Sequence, residues 1–162
     1  MRDITRDPSL RCASFRMTSE NIMSHNCKAI LIHCIDFRLI SQTIDWMQAN
    51  GYLSDCDVVS LAGASKELVD GGHQTRELIL KQIATSCGLH HASEVILLHH
   101  SDCGAYKASY SFKNVDEEKA KQTEDMNRAE EIIKERFKDV NIKKVWAKML
   151  DEHGEKVDFE IL

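Results

Sequence analysis

Three short apolar runs constrain the fold of this chain more than any other feature of its sequence. They span residues 28–35, 57–63 and 94–99. Each run has the length of one strand, and an almost unbroken apolar character is typical of strands that are buried on both faces of a parallel sheet. Parallel neighbours need a crossover connection, so we expect helices between the runs.

Helical patterns do lie between the runs. Apolar residues recur at helical spacing over residues 39–50 and again around residues 78–87, and a glycine follows each segment. Near the C-terminus, residues 145–150 and 157–162 flank a polar turn and predict a hairpin. We therefore expect an α/β fold: a single domain of three layers, with a mostly parallel sheet of four to five strands and an antiparallel C-terminal edge strand.

A charged segment separates the third run from the hairpin. Within residues 116–137, Met126, Ala129, Ile133 and Phe137 recur on one helical face. The pattern predicts an amphipathic surface helix whose charged residues are solvated.

Length and composition fit one domain with a sizeable core. The chain has 162 residues, of which 43% are hydrophobic, and this is close to the common domain size. We assign residues 28–162 to the α/β domain. Residues 1–27 are predicted to form an N-terminal arm that is partly helical and packs on a partner subunit.

Charge and hydropathy exclude several classes of partner. The net charge is -5, with basic residues interspersed among acidic ones, so no basic stripe is available to bind nucleic acid. No stretch approaches the roughly 20 apolar residues of a membrane span, and residues 1–17 lack the hydrophobic region of a signal peptide. We expect a cytoplasmic protein without nucleic-acid or membrane partners. Its six cysteines are then thiols or metal ligands rather than disulfides.

Metal-ligand residues follow two of the predicted strands. Cys34 ends the first run, while His100 and Cys103 follow the third. In open α/β sheets, ligands bind beyond the carboxyl ends of the strands. Thiolate and imidazole are ligands that zinc favours, and three protein ligands with one open position indicate a catalytic rather than a structural site. The sequence therefore predicts a zinc site.

Two further residues of the first motif can act beside such a metal. Cys34 and Asp36 are two apart, so in an extended segment they face the same side. Arg38 can hold the Asp36 carboxylate through two hydrogen bonds and favour its ionised form. Zinc with an open position generates hydroxide at neutral pH, which can attack a small electrophilic carbon.

The motifs together resemble those of β-class carbonic anhydrases. They are Cys-x-Asp-x-Arg at residues 34–38, a glycine-containing loop at residues 60–63 and His-x-x-Cys-Gly at residues 100–104. The likeness covers residues 28–104, and the terminal hairpin resembles the ending of that family.

The resemblance implies a β-carbonic anhydrase-like fold, a Zn²⁺ cofactor and a homodimer or higher homo-oligomer. It implies Cys34, His100 and Cys103 as the metal ligands, with Asp36 and Arg38 as the catalytic dyad. In a closed state Asp36 would become the fourth ligand. The implied reaction is reversible hydration of carbon dioxide to bicarbonate through a zinc-bound hydroxide, and the implied substrate-binding residues are Phe37, Gly63 and Gly104.

Two departures from the family pattern leave the substrate open. Phe37 replaces the usual serine, and Ser60-Leu61-Ala62-Gly63 replaces the usual Arg-Asn-Ala-Gly. One alternative is therefore a zinc hydrolase of carbonyl sulfide or carbon disulfide. Another is a non-catalytic protein that binds zinc or bicarbonate. A thiol redox enzyme fits less well, because the chain has no Cys-x-x-Cys motif.

The remaining histidines and cysteines receive ordinary structural interpretations. We expect His33 and His99 to be packed or hydrogen-bonded, because they alternate with the ligand positions along their strands. Asp102 is interpreted as a local turn residue. Exposed loop positions, with proton transfer as a lesser alternative, are expected for His73, His90 and His91. Small buried side chains or idle thiols are expected for Cys12, Cys27, Cys56 and Cys87.

Overall fold

The computed structural model describes residues 25–162. Its strands are β1 (Ala29–Cys34), β2 (Cys56–Leu61), β3 (Glu94–His100), β4 (Asn141–Met149) and β5 (Val157–Ile161). Its α-helices are α1 (Ile40–Ala49), α2 (Lys66–Val69), α3 (His73–Leu89), α4 (Gly104–Lys107) and α5 (Val115–Arg136), and a 3₁₀ turn spans Phe37–Leu39. Apart from its last three residues, the predicted N-terminal arm lies outside the described part of the chain.

The strands form one sheet in the order β2-β1-β3-β4-β5. The first four strands are parallel to one another, and β5 is antiparallel to β4. In the β1–β3 register His33 pairs with Leu98, and in the β3–β4 register His100 pairs with Ala147. The carboxyl ends of β1 and β3 therefore meet at the same edge of the sheet.

Apolar side chains cover both faces of the sheet and form two cores. On one face Ile30 and Ile32 pack with residues of α3 and α5, and on the other face Ala29 and Leu31 pack with Trp46 and Met47 of α1. This alternation along β1 explains its unbroken apolar sequence, because both faces are buried. The predicted three-layer α/β fold with an antiparallel C-terminal edge strand is confirmed.

Two elements differ from their predicted form. β4 begins at Asn141, four residues before the predicted hairpin, because residues 141–144 pair with residues 94–97 of β3. The ammonium groups of Lys143 and Lys144 reach polar partners, so these two residues can lie within a strand. Helix α5 is not simply a surface helix with solvated charges, since Glu118 and Asp125 are fully or almost fully buried. Within residues 25–162, no helix is long and apolar enough to cross a membrane.

The turn between β4 and β5 packs against the segment that follows β1. Gly154 has φ +69°, and a Cβ atom there would lie 2.6 Å from the carbonyl oxygen of Arg38. Gly51 has a similar φ of +70°, but a Cβ atom there would meet nothing within 4 Å. The two glycines thus share their backbone conformation and differ in steric surroundings.

We expect the Gly154→Ala substitution to destabilise the protein more than Gly51→Ala. Placing alanine in the left-handed region costs roughly 1–2 kcal/mol, and this cost is common to both variants. Overpacking against Arg38 adds about 1–3 kcal/mol to the Gly154 variant alone. Urea unfolding of both variants measures the difference, and equal losses would contradict the close packing of the turn.

Candidate metal centre

Three potential metal ligands converge at the carboxyl ends of β1 and β3. Cys34 ends β1, His100 ends β3, and Cys103 directly precedes α4. Their side chains are buried, and their ligand atoms lie within 4.8 Å of one another. The Sγ atoms of Cys34 and Cys103 are 3.9 Å apart. Two sulfurs bonded to one tetrahedral zinc at about 2.3 Å would be about 3.8 Å apart, so the sulfur spacing fits one zinc ion.

The His100 ring leaves one nitrogen without a partner. Its Nδ1 lies 2.8 Å from the Ser101 carbonyl oxygen, which can only accept, so Nδ1 carries the proton. Nε2 is buried and has no hydrogen-bond partner among residues 25–162. An unpaired buried nitrogen is costly, and a metal ion bound at Nε2 would satisfy it. A hydrogen bond from Nδ1 that fixes the ring orientation is also usual for a metal-bound histidine.

The two cysteines differ in their tendency to ionise. The Cys103 thiol holds the pKa of Cys34 well below its ordinary value, because it donates a hydrogen bond to the Cys34 sulfur. The backbone N–H of Gly63 lowers this pKa further. The pKa of Cys103 is raised in turn by the Cys34 sulfur and by burial. A divalent cation at this position would stabilise both thiolates.

Asp36 and Arg38 form a bidentate ion pair beside the cluster. Arg38 Nε donates to Asp36 Oδ1 at 3.0 Å, and Arg38 Nη2 donates to Oδ2 at 2.6 Å. The Arg38 side chain lowers the pKa of Asp36, although burial opposes this shift. Asp36 is therefore a carboxylate at neutral pH, and Arg38 holds its orientation.

Arg38 also joins the two motifs to each other. Its Nη1 donates to Asp102 Oδ2 at 2.7 Å, and its Nη2 donates to the Asp102 carbonyl oxygen at 3.1 Å. Lys107 contacts the other carboxylate oxygen of Asp102. Asp102 does occupy a turn, with φ +58°, but its role is wider than the local one expected from the sequence. Through Arg38 it ties the His100–Cys103 turn to the segment after β1.

The three predicted substrate-binding residues occupy different environments. The backbone N–H of Gly63 donates to Cys34 Sγ at 3.4 Å, and a Cβ atom at Gly63 would lie 3.2 Å from that of Ala105. Gly104 begins α4, where a Cβ atom would meet nothing within 4 Å. The Phe37 side chain is 80% exposed, so within this chain it is not packed against the cluster.

Two buried polar residues of α5 support the turn of residues 100–103, the ligand turn. Neither residue was predicted from the sequence to belong to the site. Glu118 accepts hydrogen bonds from the backbone N–H groups of Asp102 and Cys103, each at 2.9 Å. Gln122 donates to the carbonyl oxygen of His100 at 3.0 Å and to Glu118 at 3.1 Å. Glu118 and Gln122 lie on the same helical face as Met126, Ala129 and Ile133. Their place on this buried face was the signal in the sequence from which their burial could have been predicted.

His99 is a buried, neutral histidine, as its strand position predicted. Burial lowers its pKa to about 4. Ser65 donates a hydrogen bond to Nε2 at 2.7 Å, which leaves the proton on Nδ1 to be donated to Gln122 Oε1 at 3.1 Å. His99 therefore positions Gln122, which in turn contacts the His100 backbone.

The other histidine and cysteine predictions have mixed outcomes. His73 begins α3 rather than lying in a loop, and His91 is exposed as expected. The prediction of an exposed His90 is wrong, because its ring is half-buried against Asp57. Cys56 is a poorly ionising thiol, since burial raises its pKa to about 12. Cys12 lies outside the described residues.

A family model and several known proteins match this chain. The model is described as "Putative carbonic anhydrase" and matches residues 24–157. An uncharacterized protein of Rickettsia bellii (strain RML369-C) is 35% identical over 131 residues, which cover 78% of this chain and 80% of that protein. The uncharacterized protein RC0076 of Rickettsia conorii (strain Malish 7) is 31% identical over 131 residues, covering 78% and 70%.

A solved structure has the same fold. The β-carbonic anhydrase isoform I of Trichomonas vaginalis superimposes with a TM-score of 0.53, covering 90% of this chain and 87% of that chain at 14% identity. A likeness at this identity shows a shared fold.

We expect the Glu118→Gln substitution to weaken zinc binding by about 10- to 100-fold. The two oxygens of the Glu118 carboxylate accept hydrogen bonds from both backbone N–H groups of the ligand turn. A glutamine would place its NH₂ group, which only donates, against one of these N–H groups. Titration against a competing chelator measures the affinity.

The matched control is Glu117→Gln, one residue earlier in α5. Glu117 is exposed and its carboxylate accepts from the backbone N–H of Lys113, away from the ligand turn. Equal affinities for the two variants would contradict a supporting role for Glu118.

Proposed function

The chain belongs to the family described as "Putative carbonic anhydrase", and from its site geometry we propose that it catalyses the zinc-dependent, reversible hydration of carbon dioxide to bicarbonate. The observation that carries the proposal is the Cys34–His100–Cys103 cluster with Asp36 held on Arg38 beside it. Three soft or borderline ligands and a separately anchored carboxylate are the groups that hydration of a small electrophile requires.

The proposed metal ligands are Cys34, His100 and Cys103. The sulfur spacing and the unpartnered Nε2 of His100 support this assignment. A zinc ion in this cluster would supply a Lewis acid that lowers the pKa of a coordinated water to about 7. The support from Glu118 and Gln122 would keep the ligands oriented without a metal being present.

Asp36 and Arg38 have separate roles in the proposal. Asp36 would accept a hydrogen bond from the attacking oxygen, which comes from water, and would orient a lone pair of that oxygen towards the carbon atom of carbon dioxide. The new C–O bond would form as the π pair of one C=O bond moves to its oxygen, which gives bicarbonate, and the proton released in hydration would leave to solvent. Arg38 is a positioning residue, because its two hydrogen bonds to Asp36 keep that carboxylate ionised and fix its orientation.

We further propose that the enzyme is cytoplasmic and works as a homodimer or higher homo-oligomer. Apolar side chains next to the site are exposed: the exposed fractions are 59% for Ile35, 80% for Phe37, 52% for Ile40 and 44% for Ile44. Exposed apolar side chains of this kind, when they form a patch, mark interaction surfaces. A second copy of the chain would bury Phe37 and bring its ring into the neighbourhood of the site.

Hydration measured by stopped flow on the zinc-loaded protein tests the proposed activity. The wild-type protein should hydrate carbon dioxide, and Cys34→Ala should lose activity together with the zinc ion of the Cys34–His100–Cys103 cluster. Asp36→Asn should keep zinc and lose activity by about 10²- to 10⁴-fold. Asp45→Asn is the matched control, because Asp45 is exposed on α1, and it should keep both.

Two results would contradict the carbon dioxide assignment. Zinc binding without hydration in the wild-type protein would favour a non-catalytic binding protein. Release of sulfide from carbonyl sulfide or carbon disulfide, with no hydration of carbon dioxide, would favour the hydrolase that the sequence left open.

Light scattering combined with size-exclusion chromatography tests the assembly. The wild-type protein should elute with at least twice the mass of one chain. Phe37→Lys should shift it towards the monomer, because a buried ammonium group without a partner is costly. Leu78→Lys is the control, since Leu78 is also exposed but lies on α3. A monomeric wild-type protein would contradict the proposal.

A further inference from the structure

A second set of metal-ligand residues lies at the opposite end of the sheet. Cys27 comes two residues before β1, Asp57 is the second residue of β2, and His90 caps α3. One ligand atom from each residue lies within 4.8 Å of the others. Cys27 and Cys34 are seven residues apart along an extended strand, a span of about 23 Å. The two clusters are therefore distinct.

The contacts within this second cluster are direct. Cys27 Sγ lies 3.6 Å from Asp57 Oδ2, and His90 Nδ1 lies 2.7 Å from the same oxygen. The backbone N–H of Cys27 donates to the His90 carbonyl oxygen at 2.8 Å. The backbone thus holds Cys27 and His90 together independently of their side chains.

The cluster opens into a groove that a cation can enter. The groove has a volume of about 260 Å³, and its lining includes Cys27, Asp57 and His90 together with His25 and Cys56. The His25 and His90 rings are stacked with their centroids 6.4 Å apart. The groove therefore offers an approach for the ion and a neighbouring imidazole or a water molecule as a further ligand.

The interatomic distances fit zinc with one small adjustment. A sulfur and an oxygen bonded to one tetrahedral zinc at about 2.3 Å and 2.1 Å would be about 3.6 Å apart, which is the observed separation of Cys27 Sγ and Asp57 Oδ2. A nitrogen and an oxygen on the same ion would be about 3.4 Å apart. His90 or Asp57 must then move by about 0.7 Å, and the His90 proton must lie on Nε2 so that Nδ1 is free to bind. The Cys27 thiol releases its proton to solvent when it binds the ion.

We propose that Cys27, Asp57 and His90 form a second binding site for a thiophilic divalent cation of the zinc class. One thiolate, one carboxylate and one imidazole match the ligand preference of zinc and disfavour Mg²⁺ or Ca²⁺. The ion would link the residue before β1 to β2 and to the end of α3. Its role is therefore to fasten the start of the sheet, far from the proposed catalytic cluster.

Metal counting on the full chain tests this site. The chelator-treated protein is equilibrated with excess Zn²⁺, desalted and analysed for zinc by mass spectrometry. We expect two zinc ions per chain in the wild-type protein and one in each of Cys27→Ala and Asp57→Asn. Asp57→Asn keeps an oxygen that can contact His90, so it preserves the local packing while it removes the charge. Circular dichroism checks that each variant is folded.

Two control variants remove a thiol and an imidazole that do not belong to the Cys27–Asp57–His90 cluster. Cys87→Ala removes another thiol, and His91→Ala removes the exposed imidazole next to His90. Both variants should retain two zinc ions per chain.

The first cluster is tested separately, so that failure of either site can be distinguished. Cys34→Ala should retain one zinc ion, held by the second site. With Co²⁺ as the probe, this variant should show charge-transfer absorption from a single thiolate, which the additional Cys27→Ala substitution abolishes.

Two results would overturn the second site. One is a wild-type protein with a single zinc ion that Cys34→Ala removes completely. The other is a folded Cys27→Ala or Asp57→Asn variant that still binds two zinc ions.

Discussion

The parallel pairing of β1 with β3 is the constraint on which the rest of the site depends. In this register His33 lies beside Leu98, so both strands end at the same edge of the sheet. Cys34 therefore meets His100 although 65 residues separate them in the chain. The buried apolar faces of both strands fix this register, because a shift by one residue would exchange the side chains of the two cores. The hydrophobic effect thus places the cluster before any metal is bound.

Polar side chains then refine the position of the proposed ligands. Arg38 bridges Asp36 and Asp102, so it couples the segment after β1 to the turn after β3. From the other side, Glu118 and Gln122 hold the backbone of the same turn through hydrogen bonds in a buried setting. A buried polar network is costly when its donors and acceptors lack hydrogen-bond partners. Here Glu118 and Gln122 hydrogen-bond to each other as well as to the backbone of the turn. The result is a set of proposed metal ligands whose positions are fixed by the protein alone.

Much of this organisation could be predicted from local sequence, and the remainder depends on long-range packing. Three apolar runs predicted three strands, and Cys34, His100 and Cys103 stood out because they followed those strands. The role of Glu118 was hidden because a charged residue on an amphipathic helix is usually solvated. The Cys27–Asp57–His90 cluster was missed because no short spacing joins its members, which meet only when β1 and β2 pair. His90 was likewise judged exposed, since its partner Asp57 is 33 residues away.

X-ray absorption at the zinc edge tests the central claim most directly. The Cys27→Ala variant is suited to this measurement, because the absorption then reports the Cys34–His100–Cys103 cluster alone. The structure predicts two sulfur scatterers at about 2.3 Å and one imidazole nitrogen at about 2.0–2.1 Å, with a lighter atom as the fourth ligand. A zinc ion surrounded only by oxygen and nitrogen, or a folded protein that binds no zinc, would contradict the assignment of this cluster as the metal centre.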